Sequence, residues 1–358
     1  MKGLLVGLGV LLLAGAIGFG FWFYSKQKAV IHIKGMIGSE KSSFLENDRV
    51  KTILKKKYSI VVDYVRAGSI EMVSEEVKPG IDFLWPSSQV ALEIFKLKQG
   101  TKIVKSENIF NSPLVIYSWD IVVNALVKAG IVRKEMSSYY IVDMPGLLAM
   151  IREGKKWSDI GLPQLYGKIT VTTTDPTKSN SGNMFAGLVA NILKGGDVVV
   201  ESDLPQVLPE VKEFFARQGF MQNTSGVLFE QFLKTGVGQY PLMGGYESQI
   251  IEFSRMHQDF WPKVKNQIVS LYPVPTVWSE HPLIILNKQA SVLIDALKDE
   301  EIQKIAWEHH GFRTGLMGVQ NDPKILLVDG IPVSVTKIVP MPRASVMEKI
   351  IEALEDKK

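Results

Sequence analysis

Apolar positions along this chain follow two rhythms. Residues 29–38 (AVIHIKGMIG) alternate and then run into glycine, the pattern of a strand closed by a turn. Behind Ser42 and Ser43, the apolar residues Phe44, Leu45, Val50, Ile53 and Leu54 recur at helical spacing, with the serines as N-cap candidates. Residues 58–69 (YSIVVDYVRAGS) are β-branched and end at Gly68-Ser69. Residues 81–88 (IDFLWPSS) form a buried run ending at a turn, and 89–97 (QVALEIFKL) read as a helix. Further strand-like runs are 113–119 (PLVIYSW), 139–144 (YYIVDM), 168–175 (KITVTTTD), 241–245 (PLMGG) and 283–287 (LIILN). Residues 183–195 and 290–311 have helical spacing. Strands alternating with helices predict an α/β chain with parallel sheets covered on both faces.

One stretch obeys neither rhythm. Residues 3–24 (GLLVGLGVLLLAGAIGFGFWFY) are uncharged and apolar on every side, and about 20 such residues cross a hydrocarbon layer as a helix. The small-residue triplet Ala14-Gly15-Ala16 lies mid-stretch, and Phe21 to Tyr24 resemble an interfacial aromatic belt. We read an uncleaved single-pass anchor, with a cleaved signal as the alternative. Lys2 on one side and Lys26, Lys28 and Lys34 on the other leave the orientation open.

At 358 residues, with 46% hydrophobic and 22% charged positions, the chain suits two domains or one fold of two lobes. The balance of 41 Lys+Arg against 37 Asp+Glu, net +4, points away from nucleic acid. The absence of cysteine excludes disulfides, thiolate metal sites, cysteine nucleophiles and a lipidated cysteine anchor.

Five strand-like runs end in small hydroxyl and glycine residues ahead of a helix: Ser39/Ser42/Ser43, Gly68/Ser69, Ser87/Ser88, Thr177/Ser179/Ser181/Gly182 and Gly245/Tyr246/Ser248. Such residues commonly do no more than cap helices. In an open α/β sheet, however, ligands bind beyond the carboxyl ends of the strands, where helix starts offer free N–H groups. Five such ends in one alternating pattern point to a shared cleft for a compact polar ligand.

Taken in order, these segments resemble a known family. AGSIEMVSEEVKPGIDFLWPSSQ, TTTDPTKSNSGNMF, GGYESQ, YPVPTVWSEHPLIILN and ALKDEEIQKIAWEHHGFRTG are similar to successive segments of extracytoplasmic solute-binding proteins of the type II periplasmic-binding fold, nearest the molybdate/sulfate-type branch. The resemblance implies a two-lobed fold with parallel-dominated sheets and crossover hinge strands at 113–119 and 271–276. Residues 1–29 would be the anchor, 30–117 the first part of lobe 1, 118–273 lobe 2, and 274–358 the return of lobe 1. It further implies an oxyanion captured between the lobes, no cofactor, an ABC permease as partner and an extracytoplasmic body. Gly68, Ser69 and Ser87 would face the ligand from one lobe, and Ser181, Gly182, Tyr246 and Ser248 from the other. Ser39, Ser42, Ser88, Thr177, Ser179 and Glu247 complete the candidate set. The chain departs from the pattern at Glu40 and Lys41, where small neutral residues are expected, at Trp85-Pro86, and at Glu247, which could face an amine or a metal.

Catalytic signals are absent. The histidines His32, His257, His281, His309 and His310 form no HExxH motif, and His281-Pro282 resembles a structural turn of the family. No GxSxG elbow or GxxxxGK[ST] loop occurs. Asp175 before Pro176 reads as a turn former; the tryptophans read as core by default, with Trp85 alone, beside Pro86-Ser87-Ser88, a candidate to line the cleft. The reading is not an enzyme. The alternatives are an anchored sensory or interaction module that keeps the binding fold and, third, a transferase-like enzyme on the same fold.

Overall fold

The computed structural model describes residues 29–316 and 321–355. The expected anchor at 3–24 lies outside them. Among the described residues, no helix is long and apolar enough to cross a membrane.

The strands are β1 (Ile31–Ile37), β2 (Ile60–Arg66), β3 (Phe83–Trp85), β4 (Lys105–Trp119), β5 (Val132–Glu135), β6 (Ser138–Ile141), β7 (Leu242–Tyr246), β8 (Ile268–Pro273), β9 (Trp278–Ile285) and β10 (Arg313–Thr314). They join in the order β2-β1-β3-β9-β4-β8-β6-β5, with β7 and β10 also pairing to β4. The 15-residue β4 is the spine. Its first part, from Lys105 to Pro113, pairs with β9, and its far end, from Ile116 to Trp119, pairs with β8. Isoleucine, valine and aromatic side chains buried on both faces of its far half suit a strand with neighbours on each side.

The sheets are mixed, which corrects the parallel-dominated expectation. β1 pairs in parallel with β2 and β3, as does β6 with β8. The pairs β3–β9, β4–β7, β4–β8, β4–β9, β4–β10 and β5–β6 are antiparallel. A strand buried on both faces reads as a continuous apolar run whichever way its neighbour points, so the pattern carried no direction.

Local chemistry sets the element ends. The predicted helix from Ser42 divides at Asn47, whose side chain accepts from the Arg49 and Val50 N–H groups and starts Asp48–Tyr58. The predicted helix at 290–311 divides likewise at Asp299, which caps Glu300–His310. Residues 168–175 form no continuous strand, making two isolated bridges, from Lys168 to Lys156 and from Thr172 to Met243.

Two cores share the spine along its length. Phe44, Phe110, Phe312 and Trp85 pack as rings at its first part, Phe110 and Phe312 stacked at 5.2 Å. Tyr117, Trp119, Phe229 and Phe232 pack at its far end. The last helix, Ala344–Glu355, lies against Gln89–Gln99 on one side and against Asn180–Leu193 and Leu204–Ala216 on the other. The Ala344 N–H donates to Glu93 at 3.2 Å, and Lys349 pairs with Glu201.

Candidate functional site

Four chain segments meet where β1, β3 and β7 end and β9 passes. The Ser87 carbonyl is the hub. It accepts from Asn180 Nδ2 and from Ser279 Oγ, both at 2.8 Å, while the Ser87 N–H donates to Ser69 Oγ at 2.9 Å. Asn180 Nδ2 also donates to the Tyr246 hydroxyl at 3.0 Å. Ser181 Oγ sits 2.7 Å from Thr174 Oγ1 and 3.1 Å from Ser179 Oγ, so these hydroxyls form a short chain at the start of Asn180–Leu193. Gly182 allows that helix to start here, because a β-carbon would collide with the Thr174 carbonyl and lie 2.8 Å from the Pro176 nitrogen.

A buried ion pair fills the centre of this junction. The Lys41 side chain is wholly buried, and its Nζ donates to Glu40, to Ser87 Oγ at 2.6 Å and to His281 Nδ1 at 3.3 Å. Ser87 Oγ also donates to Glu40, and the ammonium lies 5.6 Å from the Trp85 ring centre. Burial alone would raise the Glu40 carboxyl, but the Lys41 charge and the hydrogen bonds from Lys41 and Ser87 outweigh it and hold the group at about 2. Burial pulls the Lys41 ammonium down from its ordinary value, against the opposing charge of Glu40. His281 is held well below its usual value by burial and by Lys41, so its ring is neutral. A neutral Nδ1 accepts from Lys41, which leaves the proton on Nε2 facing Ser279 Oγ at 3.2 Å. The Tyr246 phenol is raised by burial and by the nearby Glu40 charge, and stays protonated.

Ser69, Ser87, Ser179, Ser181 and Tyr246 are therefore brought together, with Gly182 beneath them. The other candidates make local contacts outside this hydroxyl cluster, although Gly68 and Thr177 line the cavity beside it. Ser88 caps Gln89–Gln99 through the Val90 N–H. Thr177 donates to Asp175 through both its N–H and its hydroxyl, the turn predicted for Asp175-Pro176. The Gly68 N–H donates to Glu71 at 3.0 Å. Ser39 is exposed, and the Ser42 hydroxyl is buried with no hydrogen-bond partner. The Ser248 N–H donates to Ser112 at 3.3 Å, and its Cα lies where Gly311, in the left-handed conformation at φ +68°, lets two helices approach.

Three expectations need correction. Glu247 turns away from the junction: Arg313 Nε and Nη2 grip its two oxygens at 2.6 and 2.9 Å, and the Tyr272 hydroxyl donates at 2.6 Å, so both oxygens are committed. Trp85 is fully buried core, its Nε1 donating to the His281 carbonyl at 3.1 Å. His281 lies within β9 rather than at a turn. Sequence reasoning did not place Asn180, Ser279 or His281 in the site, and it read Glu40 and Lys41 as departures in the first loop without pairing them. Ser279 and His281 did leave a signal, being polar residues two apart and so on one face of the strand.

Beside the junction opens a cavity of about 520 Å³. Ser69 and Glu71 line it from one side, Thr177, Ser179, Asn180 and Asn183 from another, and the last helix closes a third. Its volume is in the range of small-molecule sites. Among the described residues no cluster of His, Asp and Glu suits a metal ion.

Solved structures share this architecture. The fold is that of the periplasmic solute-binding proteins. A putative extracellular solute-binding protein from Bordetella parapertussis matches with a TM-score of 0.58 at 13% identity, covering 91% of this chain and 98% of its own. Iron-bound HitA from Pseudomonas aeruginosa matches at 0.56 and 12%, covering 90% and 99%. The sulfate-binding protein SubI from Mycobacterium tuberculosis H37Rv matches at 0.53 and 12%, covering 92% and 96%. No family model and no curated protein sequence matches the chain.

Proposed function

We propose that the chain is an extracytoplasmic solute-binding protein, held to the membrane by residues 3–24, that captures a small polar solute and hands it to an ABC-type permease. The observation that carries this reading is the cavity, in which Ser69 from the end of β2 faces Ser179 and Asn180 from the start of Asn180–Leu193. Uncharged hydroxyl and amide groups bind and release a solute reversibly, each hydrogen bond adding about 0.5–1.5 kcal/mol net. The neighbours of the same fold include proteins described as binding sulfate and iron, so the architecture supports a binding role while leaving the solute open.

The Glu40–Lys41 pair counts against a free dianion in the junction. A carboxylate already occupies the hydroxyl-rich centre, where Ser87 and Lys41 satisfy it. An incoming dianion would have to displace Glu40 or lie beside it. The solute therefore belongs in the adjoining cavity. The test is a thermal-shift panel on the full chain in detergent micelles, covering oxyanions, amino acids, sugars, amines and divalent cations. A solute that binds only the folded state raises the midpoint with the logarithm of its concentration. A rise with one chemical class is expected; a flat response to every class would overturn the reading.

A further inference from the structure

The cavity's walls are not neutral. Along the helix Ala344–Glu355, the glutamates at 348, 352 and 355 fall four and three residues apart, on one face, and all three line the cavity. None of them has an ion-pair partner among the described residues, although every one is exposed. Glu71 adds a fourth carboxylate from another wall, and Lys178 is the single cation of the lining. A concave surface lined by one sign of charge concentrates ligands of the opposite sign.

A second observation points the same way. Asn183 is 4% exposed and lines the cavity, yet its side-chain oxygen has no hydrogen-bond partner. The Asn180 oxygen is also buried and unpartnered, and Asn180 is likewise a residue of the lining. A buried acceptor without a donor is costly unless a ligand supplies one. Ammonium groups carry donors and no acceptor. In the same lining, the half-buried Ile70 and Ile351 present apolar surface that suits methylene units.

We propose that the solute is an aliphatic amine with two or more ammonium groups joined by methylene units. This rests on the solute-binding reading and names the substrate class of that cavity. The glutamates of the last helix hold one ammonium, and Asn183 with Ser179 receives the other end. The helix is thus a wall of the binding site as well as a bridge between the two sides of the fold.

Isothermal titration of the full chain in detergent micelles with spermidine and putrescine tests this, with sulfate, molybdate and calcium chloride as comparison titrants. Spermidine is expected to bind, and the double variant Glu348→Gln/Glu352→Gln to bind it at least tenfold more weakly. Both glutamates are exposed and unpaired, so the variant folds, which an unchanged ligand-free melting midpoint verifies. Asn183→Leu, which removes the unpartnered oxygen, is expected to weaken spermidine further while leaving the helix charge intact. Binding of sulfate, molybdate or calcium in place of the amines would overturn the amine assignment and keep the solute-binding reading. Amine binding that ignores both variants would move the site elsewhere and also overturn it. Silence to every titrant would overturn both readings.

Discussion

Arg313→Met tests how the fold is braced. Arg313 and Glu247 are 6% and 0% exposed, and the guanidinium grips both carboxylate oxygens while also donating to the carbonyls of Val333 and Pro332 at 2.9 and 2.7 Å. The bridge ties the helix that follows β7 to the strand and tail that follow Glu300–His310. Removing the arginine leaves a buried carboxylate with only the Tyr272 hydroxyl for company. Breaking one partner of a buried pair costs about 3–5 kcal/mol, because the remaining charge is uncompensated. At about 2 °C per kcal/mol for a long chain, the melting midpoint should fall by roughly 6–10 °C. The double variant Arg313→Met/Glu247→Leu removes both charges from the same space, and replacing a buried pair by apolar groups is often neutral. It should therefore recover most of the loss. Thermal unfolding of the wild type, the single and the double variant measures this directly. A single variant that loses less than about 1 kcal/mol, or a double variant no better than the single, would refute the account of the pair as a buried strut.

Other predictions concern the junction. Because the Glu40 carboxyl is held at about 2 in the folded chain, against an ordinary value of 4.5, its contribution is present above the ordinary value and lost as pH falls from 4.5 towards 2. That depression corresponds to at most about 3 kcal/mol, so Lys41→Met should lower stability near neutral pH and flatten the acid limb of a urea-midpoint profile; an unchanged limb would detach Lys41 from Glu40. Gly182→Ala drives a methyl against the Thr174 carbonyl and should cost about 1–3 kcal/mol, read by urea denaturation, with wild-type stability as the contrary result. Ser69→Ala removes the acceptor of the Ser87 N–H and should cost about 1 kcal/mol of stability. Combined with Ser179→Ala, which removes the facing hydroxyl of the cavity, it should also weaken solute binding in calorimetry, and unchanged affinity would remove both hydroxyls from the binding role.

Much of this architecture was legible in the residues. The apolar run at 113–119 marked the far half of the spine strand, and Ser69, Ser87 and Ser181 marked ends that do converge. What was hidden depends on partners distant in the sequence. Apolar runs show burial but not strand direction, so the antiparallel return of β9 was invisible. Tyr246 and Glu247 are neighbours in sequence, yet at the change from strand to helix their side chains diverge, one to the junction and one to Arg313. A pair such as Glu40 and Lys41 reads as surface by composition, since charged residues are rarely buried unless paired. Only the packing of Ser87 and His281 around it shows that it is buried. The acidic face of the last helix was equally silent, because exposed glutamates at helical spacing are the default for a solvated face.

The most direct test of the solute-binding claim is hydrogen exchange of the full chain, read by mass spectrometry, with and without the solute that gives the largest thermal shift. Protection is predicted at three separated segments at once: 68–71, 177–183 and 344–355. These supply the walls of the cavity, and ligand bound between them suppresses opening of each. Protection confined to one of these segments, or appearing only elsewhere in the chain, would contradict capture of a solute in this cavity.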